Sequence, residues 1–263
     1  MNTPSIKPDL QALLFDVDGT LSDTERDGHR VAFNQAFAEY GIDWNWDVDT
    51  YGELLAVTGG KERMQYYADR FLDKEQLPDN LATLIPELHQ AKTRHYTRLL
   101  STGAIPLRPG VERLIKEARQ RGFRLAIATT TTPENVTALL THTLGADAID
   151  WFEVIAAGDI VPAKKPAPDI YDYALKTMQL SADECIAFED SANGIKSTSA
   201  AGLHTIITVN DYTRDHDFPG AVIVLDQMGE PEQPFTVIAG DAAGSTCLDC
   251  DLVVQLHQQA LAG

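Results

Sequence analysis

The sequence predicts an α/β fold in which a parallel sheet is interrupted, after its first strand, by an all-helical insertion. Three observations carry that expectation. The apolar run from Ala12 to Phe15 ends in Asp16-Val17-Asp18-Gly19-Thr20, close to the N-terminus. Residues 24–104 hold helical spacing with no strand pattern between. From Pro109 onward, short apolar runs alternate with amphipathic ones, which is how strands and helices build a parallel sheet covered on both faces.

Taken in order, Ala12–Phe15 reads as a buried strand, and Gly19 breaks it into a turn. Thr24 to Tyr40 places Ala32, Phe33, Ala36, Phe37 and Tyr40 at helical spacing, with Gly41 as the stop. A second helix of the insertion is expected from Pro86, a good first-turn residue, to Leu100. Trp44 and Trp46 are assigned to the packing of this insertion. Arg113–Arg121 is amphipathic, with i, i+4 pairs Glu112–Lys116 and Glu117–Arg121 and with Gly122 as the stop. Further short strands are expected at Leu125–Ala128, Val154–Ala156, Cys185–Phe188, Thr205–Val209 and Val222–Leu225. Gly229–Thr246, rich in Gly, Pro and Ala, reads as an irregular connection, and Asp249–Leu261 as a terminal helix. The expected boundaries are a core of residues 1–23 and 105–263 and a helical insertion of 24–104. No internal repeat is present.

The chain has 263 residues, 44% of them hydrophobic, enough for a sizeable core. No run approaches the roughly 18 apolar residues of a membrane span, and Met1–Pro8 has no signal-peptide core. Three cysteines cannot build a disulfide framework, so a reducing, cytoplasmic setting is expected. The formal net charge of −18 repels nucleic acid and anionic membranes. No nucleic-acid or membrane partner is expected, and the chain is expected to work as a monomer. An anionic substrate would need locally placed cations.

Asp16 and Asp18, spaced i, i+2 on an extended chain, point to the same side. They sit at a strand's C-terminal end, where open parallel sheets bind ligands. Two like charges so close call for a cation, a shared proton or both, which suits Mg²⁺-assisted chemistry with one carboxylate as nucleophile. Asp-x-Asp-Gly alone also fits a solvated turn. An EF-hand does not fit, because its oxygens are spread over twelve positions after a helix. Three later strand ends carry matching chemistry. Thr129-Thr130-Thr131-Thr132-Pro133 closes a strand and opens a helix, a place suited to a phosphate or to a plain helix cap. Lys164-Lys165-Pro166-Ala167-Pro168-Asp169 can present Lys165 on a backbone stiffened by prolines, or can hold two solvated lysines. Glu189-Asp190 ends a strand and could complete an oxygen site for Mg²⁺, or could cap the helix at Ile195.

In this order and with these residue types, the chain resembles the haloacid dehalogenase superfamily: Asp16-Val17-Asp18-Gly19-Thr20, Thr129, Lys165-Pro166 and Glu189-Asp190, with a helical insert after the first motif. Further stretches are similar to the CbbY-type sugar bisphosphate phosphatases. These are Asp23–Arg30, Thr58–Arg63, His89–Lys92, the threonine run and Lys164–Tyr171, a similarity covering residues 10 to about 226. The resemblance implies a Rossmann-like core with a helical cap, and hydrolysis of a sugar bisphosphate, xylulose 1,5-bisphosphate foremost, with Mg²⁺. It implies Asp16 as nucleophile, Asp18 as acid and base, Thr129 as phosphoryl donor and Lys165 as charge balance. Asp16, Asp18, Glu189 and Asp190 are implied as metal holders. Implied substrate contacts are Glu25, Gly59, Gly60, Lys61, Glu62, Arg63, His89, Lys92, Thr129, Thr130, Thr131, Asn135 and Lys165. Thr58–Arg63 is the preferred specificity loop. It is not a Walker loop, since position 55 is Leu and Glu62 follows Lys61. His89 and Lys92, i and i+3 on one helix face, are candidates for a second phosphate. A β-phosphoglucomutase-like mutase and a non-catalytic sugar-phosphate sensor remain alternatives. Cys247 and Cys250 have redox-motif spacing but lack the further ligands that zinc requires.

Overall fold

The computed structural model describes residues 9–57, 60–78 and 80–262. Thr58 and Gly59 of the expected specificity loop, and the first eight residues, lie outside the described residues. The chain divides into two compact units, residues 1–23 with 106–263 and residues 24–105.

The first unit is a seven-stranded sheet of order β3-β2-β1-β4-β5-β6-β7. Its strands are β1 (Ala12–Phe15), β2 (Arg124–Thr129), β3 (Val154–Ala157), β4 (Cys185–Glu189), β5 (His204–Thr208), β6 (Ile223–Leu225) and β7 (Val237–Ala239). All neighbours are parallel except β6 and β7. β1 is central and fully buried, and its strand neighbours are in register: Phe15 lies opposite Ile127 of β2 and Phe188 of β4. β2 and β4 therefore leave β1 on opposite sides, which makes the C-terminal end of β1 a topological switch point. Side chains alternate between faces. Leu14, Ala126, Ala128 and Ala187 pack with Ile170, Tyr171 and Ala174 on one side, and Phe15 stacks on Phe188 with ring centroids 4.5 Å apart on the other.

The five expected strands after β1 are all present, each within one residue of its expected start, and the α/β class is as the sequence predicts. Two expectations are corrected. The stretch from Gly229 to Thr246 contains β7. Its side chains are exposed, so pairing to β6 rather than burial holds it, and its three apolar residues are too short a run to stand out among the Gly, Pro and Ala around them. The helix expected from Pro86 runs from Leu81 to Ser101. Leu84, Ile85 and Leu88 continue one buried stripe through the proline, and their packing outweighs the single backbone bond that proline removes.

The second unit, in which the described elements are all helical, holds a wide-turned segment Thr24–His29 leading into α1 (Arg30–Glu39), then α2 (Val48–Leu54), α3 (Gly60–Phe71) and α4 (Leu81–Ser101). α2 and α3 lie inside the stretch 24–104 that the sequence reads as helical, in the part between the two helices whose bounds it assigns. Trp46 is fully buried, 4.7 Å from Phe33 and 4.9 Å from Phe37 between ring centroids. Asn34 pairs with its backbone in both directions, accepting from the Trp46 amide and donating to its carbonyl, each at 2.8 Å. Burial of such a ring is worth roughly 1.5–3 kcal/mol, so these aromatics form the core of the unit.

In the first unit, α5 (Val111–Gln120), α6 (Pro133–Leu144), α7 (Asp169–Met178) and α8 (Ala192–Ala200) complete the layers. α9 (Cys250–Ala260) is capped by Asp249, which accepts from the Leu252 amide. Among the described residues no helix is long and apolar enough to cross a membrane.

α9 buries His257 completely. Its Nε2 lies 2.8 Å from the Asp183 carbonyl, while Nδ1 meets no partner. Burial lowers its pKa. The folded protein thus refuses a proton that the unfolded chain takes up below about pH 6.5. The contribution of His257 to stability is complete above that value and declines as the pH falls. Thermal unfolding midpoints of the wild type and of His257→Gln, measured from about pH 7.5 to pH 5, should therefore differ in slope, the wild type losing more stability than the variant as the pH falls. An unchanged slope in the variant would remove His257 as its source.

Candidate active site

The chemistry-bearing residues of the first unit gather where β1, β2 and β4 end. Asp16 follows β1 directly, its amide donating to the Phe188 carbonyl of β4 at 3.0 Å. The chain then turns sharply. The Val17 carbonyl accepts from the amides of Thr20, Leu21 and Ser22, and Gly19 stands at φ 86°. A Cβ at Gly19 would lie 2.2 Å from Asp190 Oδ2 and 2.6 Å from Asn210 Nδ2. Only glycine fits that turn, for its sign of φ and for the space. Asp18 is half-buried beside it.

Lys165 is the centre of the arrangement. Its Nζ donates to Asp16 Oδ1 at 2.6 Å, to Glu189 Oε1 at 2.6 Å and to the Ala128 carbonyl of β2 at 2.9 Å. Its side chain is 8% exposed. Ser197 of α8 donates to the Ala167 carbonyl at 2.6 Å and so anchors the loop that delivers the lysine. Burial alone would depress the lysine pKa. The Asp16 and Glu189 carboxylates outweigh it and hold the ammonium above its ordinary range.

The acids are crowded. Burial pushes Glu189 up to about 7, with Asp16 adding repulsion and Lys165 and the Tyr171 hydroxyl opposing. Burial, with the Asp16 and Glu189 charges adding to it, raises Asp190 well above the ordinary carboxylate range. Asn210 Nδ2 donates to Asp190 Oδ2 at 2.7 Å. Neither acid caps α8: Ser191 does, accepting from the Gly194 amide at 3.1 Å. Oxygens of Asp16, Glu189 and Asp190 lie within 4.8 Å of one another. Three buried carboxylates against one ammonium leave excess negative charge on hard oxygen donors, the set that suits a divalent cation. This acidic cluster could bind a metal.

Thr129 ends β2 fully buried, its Oγ1 accepting from the Thr131 amide at 3.3 Å. Thr132 caps α6, and Asn135 Nδ2 donates to Thr131 Oγ1 at 3.2 Å. Thr130 is exposed.

Within the second unit, two groups of the expected residues meet. Tyr51 Oη donates to Glu25 Oε2 at 2.6 Å and accepts from Arg63 Nη1 at 2.7 Å. Arg63 also donates to the Leu54 and Val57 carbonyls. Lys92 Nζ lies 2.8 Å from His29 Nδ1, and the imidazole stacks on Tyr96 at 3.8 Å. Burial lowers His29 to about 4, with Lys92 and Arg63 adding to the effect against Glu25. The neutral ring therefore accepts from the ammonium. Against burial, His29, Arg63, the Tyr51 hydroxyl and Lys92 together hold Glu25 below the ordinary carboxylate range. His89 is half-buried against Gly60, whose missing Cβ leaves it room. Lys61 and Glu62 are exposed.

Four residues of these clusters are absent from the expected set: His29, Tyr51, Tyr171 and Asn210. The Tyr171 hydroxyl donates to Glu189 Oε1. Asn210 follows Val209 beyond β5, and the rule that found the other strand ends would have found it. Tyr51 carries no local signal, because its partners lie 26 and 12 residues away.

Residues 10–202 match the haloacid dehalogenase-like hydrolase family. The chain is 47% identical over 226 residues to the CbbY protein of Cupriavidus necator, covering 86% of this chain and 88% of that one. It is also similar to solved structures of CbbY from Rhodobacter sphaeroides. One contains phosphate, at 45% identity and TM-score 0.68, covering 83% of this chain and 94% of that one. The other is a mutant form with xylulose 1,5-bisphosphate, at 46% identity, the same TM-score and the same coverage. A β-phosphoglucomutase from Clostridium difficile shares the fold at TM-score 0.65 and 18% identity, covering 97% of this chain and all of that one. With the family match spanning most of the core and strand-end carboxylates gathered around one lysine, the chain belongs to the haloacid dehalogenase-like hydrolases.

Proposed function

We propose that this haloacid dehalogenase-type phosphatase removes a phosphoryl group from a small sugar bisphosphate, xylulose 1,5-bisphosphate foremost, through an aspartyl-phosphate intermediate with Mg²⁺. The observation that carries the reading is Lys165 bridging Asp16 and Glu189 at 2.6 Å each, with Asp190 adjoining. The substrate is suggested by the related CbbY structure that contains it.

Asp16 attacks phosphorus with one carboxylate oxygen, and the bond from phosphorus to the sugar oxygen breaks. Asp18 gives its proton to that departing oxygen. Water then attacks the acyl phosphate, Asp18 takes its proton, and phosphate leaves with Asp16 restored. Lys165 neutralises part of the charge on Asp16 and on the phosphoryl oxygens, and Thr129 and the amides opening α6 donate to those oxygens. Asp16, Asp190 and the Asp18 carbonyl would hold Mg²⁺, with Glu189 assisting. When bound, Mg²⁺ offsets the repulsion between nucleophile and phosphoryl group. Phosphate monoester hydrolysis calls for up to about 10²¹-fold acceleration, so no single group suffices.

We assign the second unit as a cap that excludes water and selects the substrate. Its candidates for the second phosphate are Lys61, His89 and Lys92. Arg63 and Glu25, bound to each other through Tyr51, shape that surface. The reducing, cytoplasmic setting belongs to the same reading.

Phosphate release from xylulose 1,5-bisphosphate, compared with ribulose 1,5-bisphosphate and β-glucose 1-phosphate, should be fastest for the first and should stop with a chelator. Conversion of glucose 1-phosphate to glucose 6-phosphate without release would replace the reading with a mutase. Asp16→Asn should remove turnover while leaving the fold intact by circular dichroism; activity above a few per cent of wild type contradicts the nucleophile assignment. Lys61→Ala should raise KM for bisphosphates more than for monophosphates, and equal effects would take Lys61 out of the second-phosphate site. A Cβ at Gly194 would stand 1.9 Å from Glu189 Oε2. Gly194→Ala must therefore move Glu189 and with it Lys165, at a cost of about 10²-fold in turnover. At Gly122, φ is 82° and nothing lies within 4 Å of a Cβ, so alanine there should cost only about 1 kcal/mol of stability and no turnover. Equal turnover in the two variants would sink the account of Glu189.

A further inference from the structure

Arg108 takes no part in the steps above, yet its side chain is bonded to the turn after Asp18 and to residues at the ends of two strands. It lies just after the chain re-enters the first unit at Pro106, and its side chain is 7% exposed. A buried guanidinium must satisfy its fixed fork of donors. Nη1 donates to the Gly19 carbonyl, to the Thr208 carbonyl at 3.0 Å and to the Thr208 hydroxyl at 3.2 Å. Nη2 donates to the Val209 carbonyl and, at 2.8 Å, to that of Asp226. Nε stands 3.3 Å from Asp23 Oδ1. The Arg108 amide donates to the Leu21 carbonyl at 2.8 Å.

One side chain thus ties the turn after Asp18 to the ends of β5 and β6. Two of these bonds, to the carbonyls of Gly19 and Leu21, bracket that turn. Gly19 is its pivot, at φ 86°. Glycine gives the pivot little stiffness of its own; backbone bonds within the turn, among them the Gly19 amide to the Ser22 carbonyl at 2.8 Å, hold its shape, and Arg108 holds the Gly19 carbonyl that leaves it.

We propose that Arg108 is a positioning residue: by fixing the Gly19 carbonyl it aims the Asp18 carboxylate at the leaving oxygen. The proposal rests on the reading of Asp18 as the proton donor. A lysine would keep the charge beside Asp23, but it lacks the planar fork that reaches carbonyls in two directions.

The test separates proton donation from general damage. A sugar alkoxide needs a proton as its bond to phosphorus breaks, whereas p-nitrophenolate does not. Rapid-quench measurement of the first turnover follows leaving-group release from xylulose 1,5-bisphosphate and from p-nitrophenyl phosphate. Arg108→Lys should slow the sugar ester about 30-fold or more, approaching the contribution of a general acid, and the aryl ester less than about 3-fold. Asp18→Asn should show the same selectivity. Guanidinium ion added to Arg108→Ala should restore part of the lost rate on the sugar ester; if that variant does not fold, Arg108→Lys alone decides. Equal slowing of both esters by Arg108→Lys, or none, overturns the positioning role. A wild-type protein that releases neither leaving group overturns the phosphatase reading itself, and the proposal with it.

Discussion

The site depends on one constraint: three carboxylates are buried together at the ends of adjacent parallel strands, with a single ammonium among them. Like charges in a poorly screened place cannot all remain ionised without a counter-charge. The sheet creates the crowding, because in-register pairing of β1 with β4 carries Asp16 to the end at which Glu189 and Asp190 emerge. The loop carrying Lys165 relieves part of it, and a divalent cation would relieve the rest. Burial of the lysine, the absence of a Cβ at Gly19 and Gly194 and the capping of α8 by Ser191 all follow from accommodating that charge.

The two units solve different problems. The first buries charge at strand ends and anchors it with backbone donors and acceptors. The second buries a block of aromatic rings, and it holds its own buried polar groups in two small sets, Glu25–Tyr51–Arg63 and His29–Lys92. In the second set the neutral imidazole is a consequence of two nearby cations and little water. Its role as an acceptor is thus imposed by its surroundings.

Much of the core was legible in the sequence, because parallel strands buried on both faces read as short apolar runs and each ended in the residue types its position requires. Asp16, Lys165, Glu189 and Asp190 were found by asking what stands after such runs. One of the two readings of Glu189 and Asp190 falls away, because Ser191 is the residue that caps α8. What escaped reading shares a physical cause. Tyr171, Tyr51 and Arg108 act through partners far away in sequence, so no local pattern marks them. β7 escaped because backbone pairing, not side-chain burial, defines it.

That last strand has a consequence for the protein in a crowded solution. β6 is only three residues long and wholly buried. Left as the margin of the sheet, it would offer bare amides and carbonyls to any extended chain that drifted by. β7 takes that position, pairing antiparallel to it with a register shift at Val224 and Leu225. Pro234 and Gly240 flank the new margin, and neither continues a ladder well. Val237 and Ile238 remain exposed there, at 39% and 48%, on a strand too short to template a long partner. The segment beyond β6 thus acts as a selvedge, finishing the sheet so that it does not knit to its neighbours.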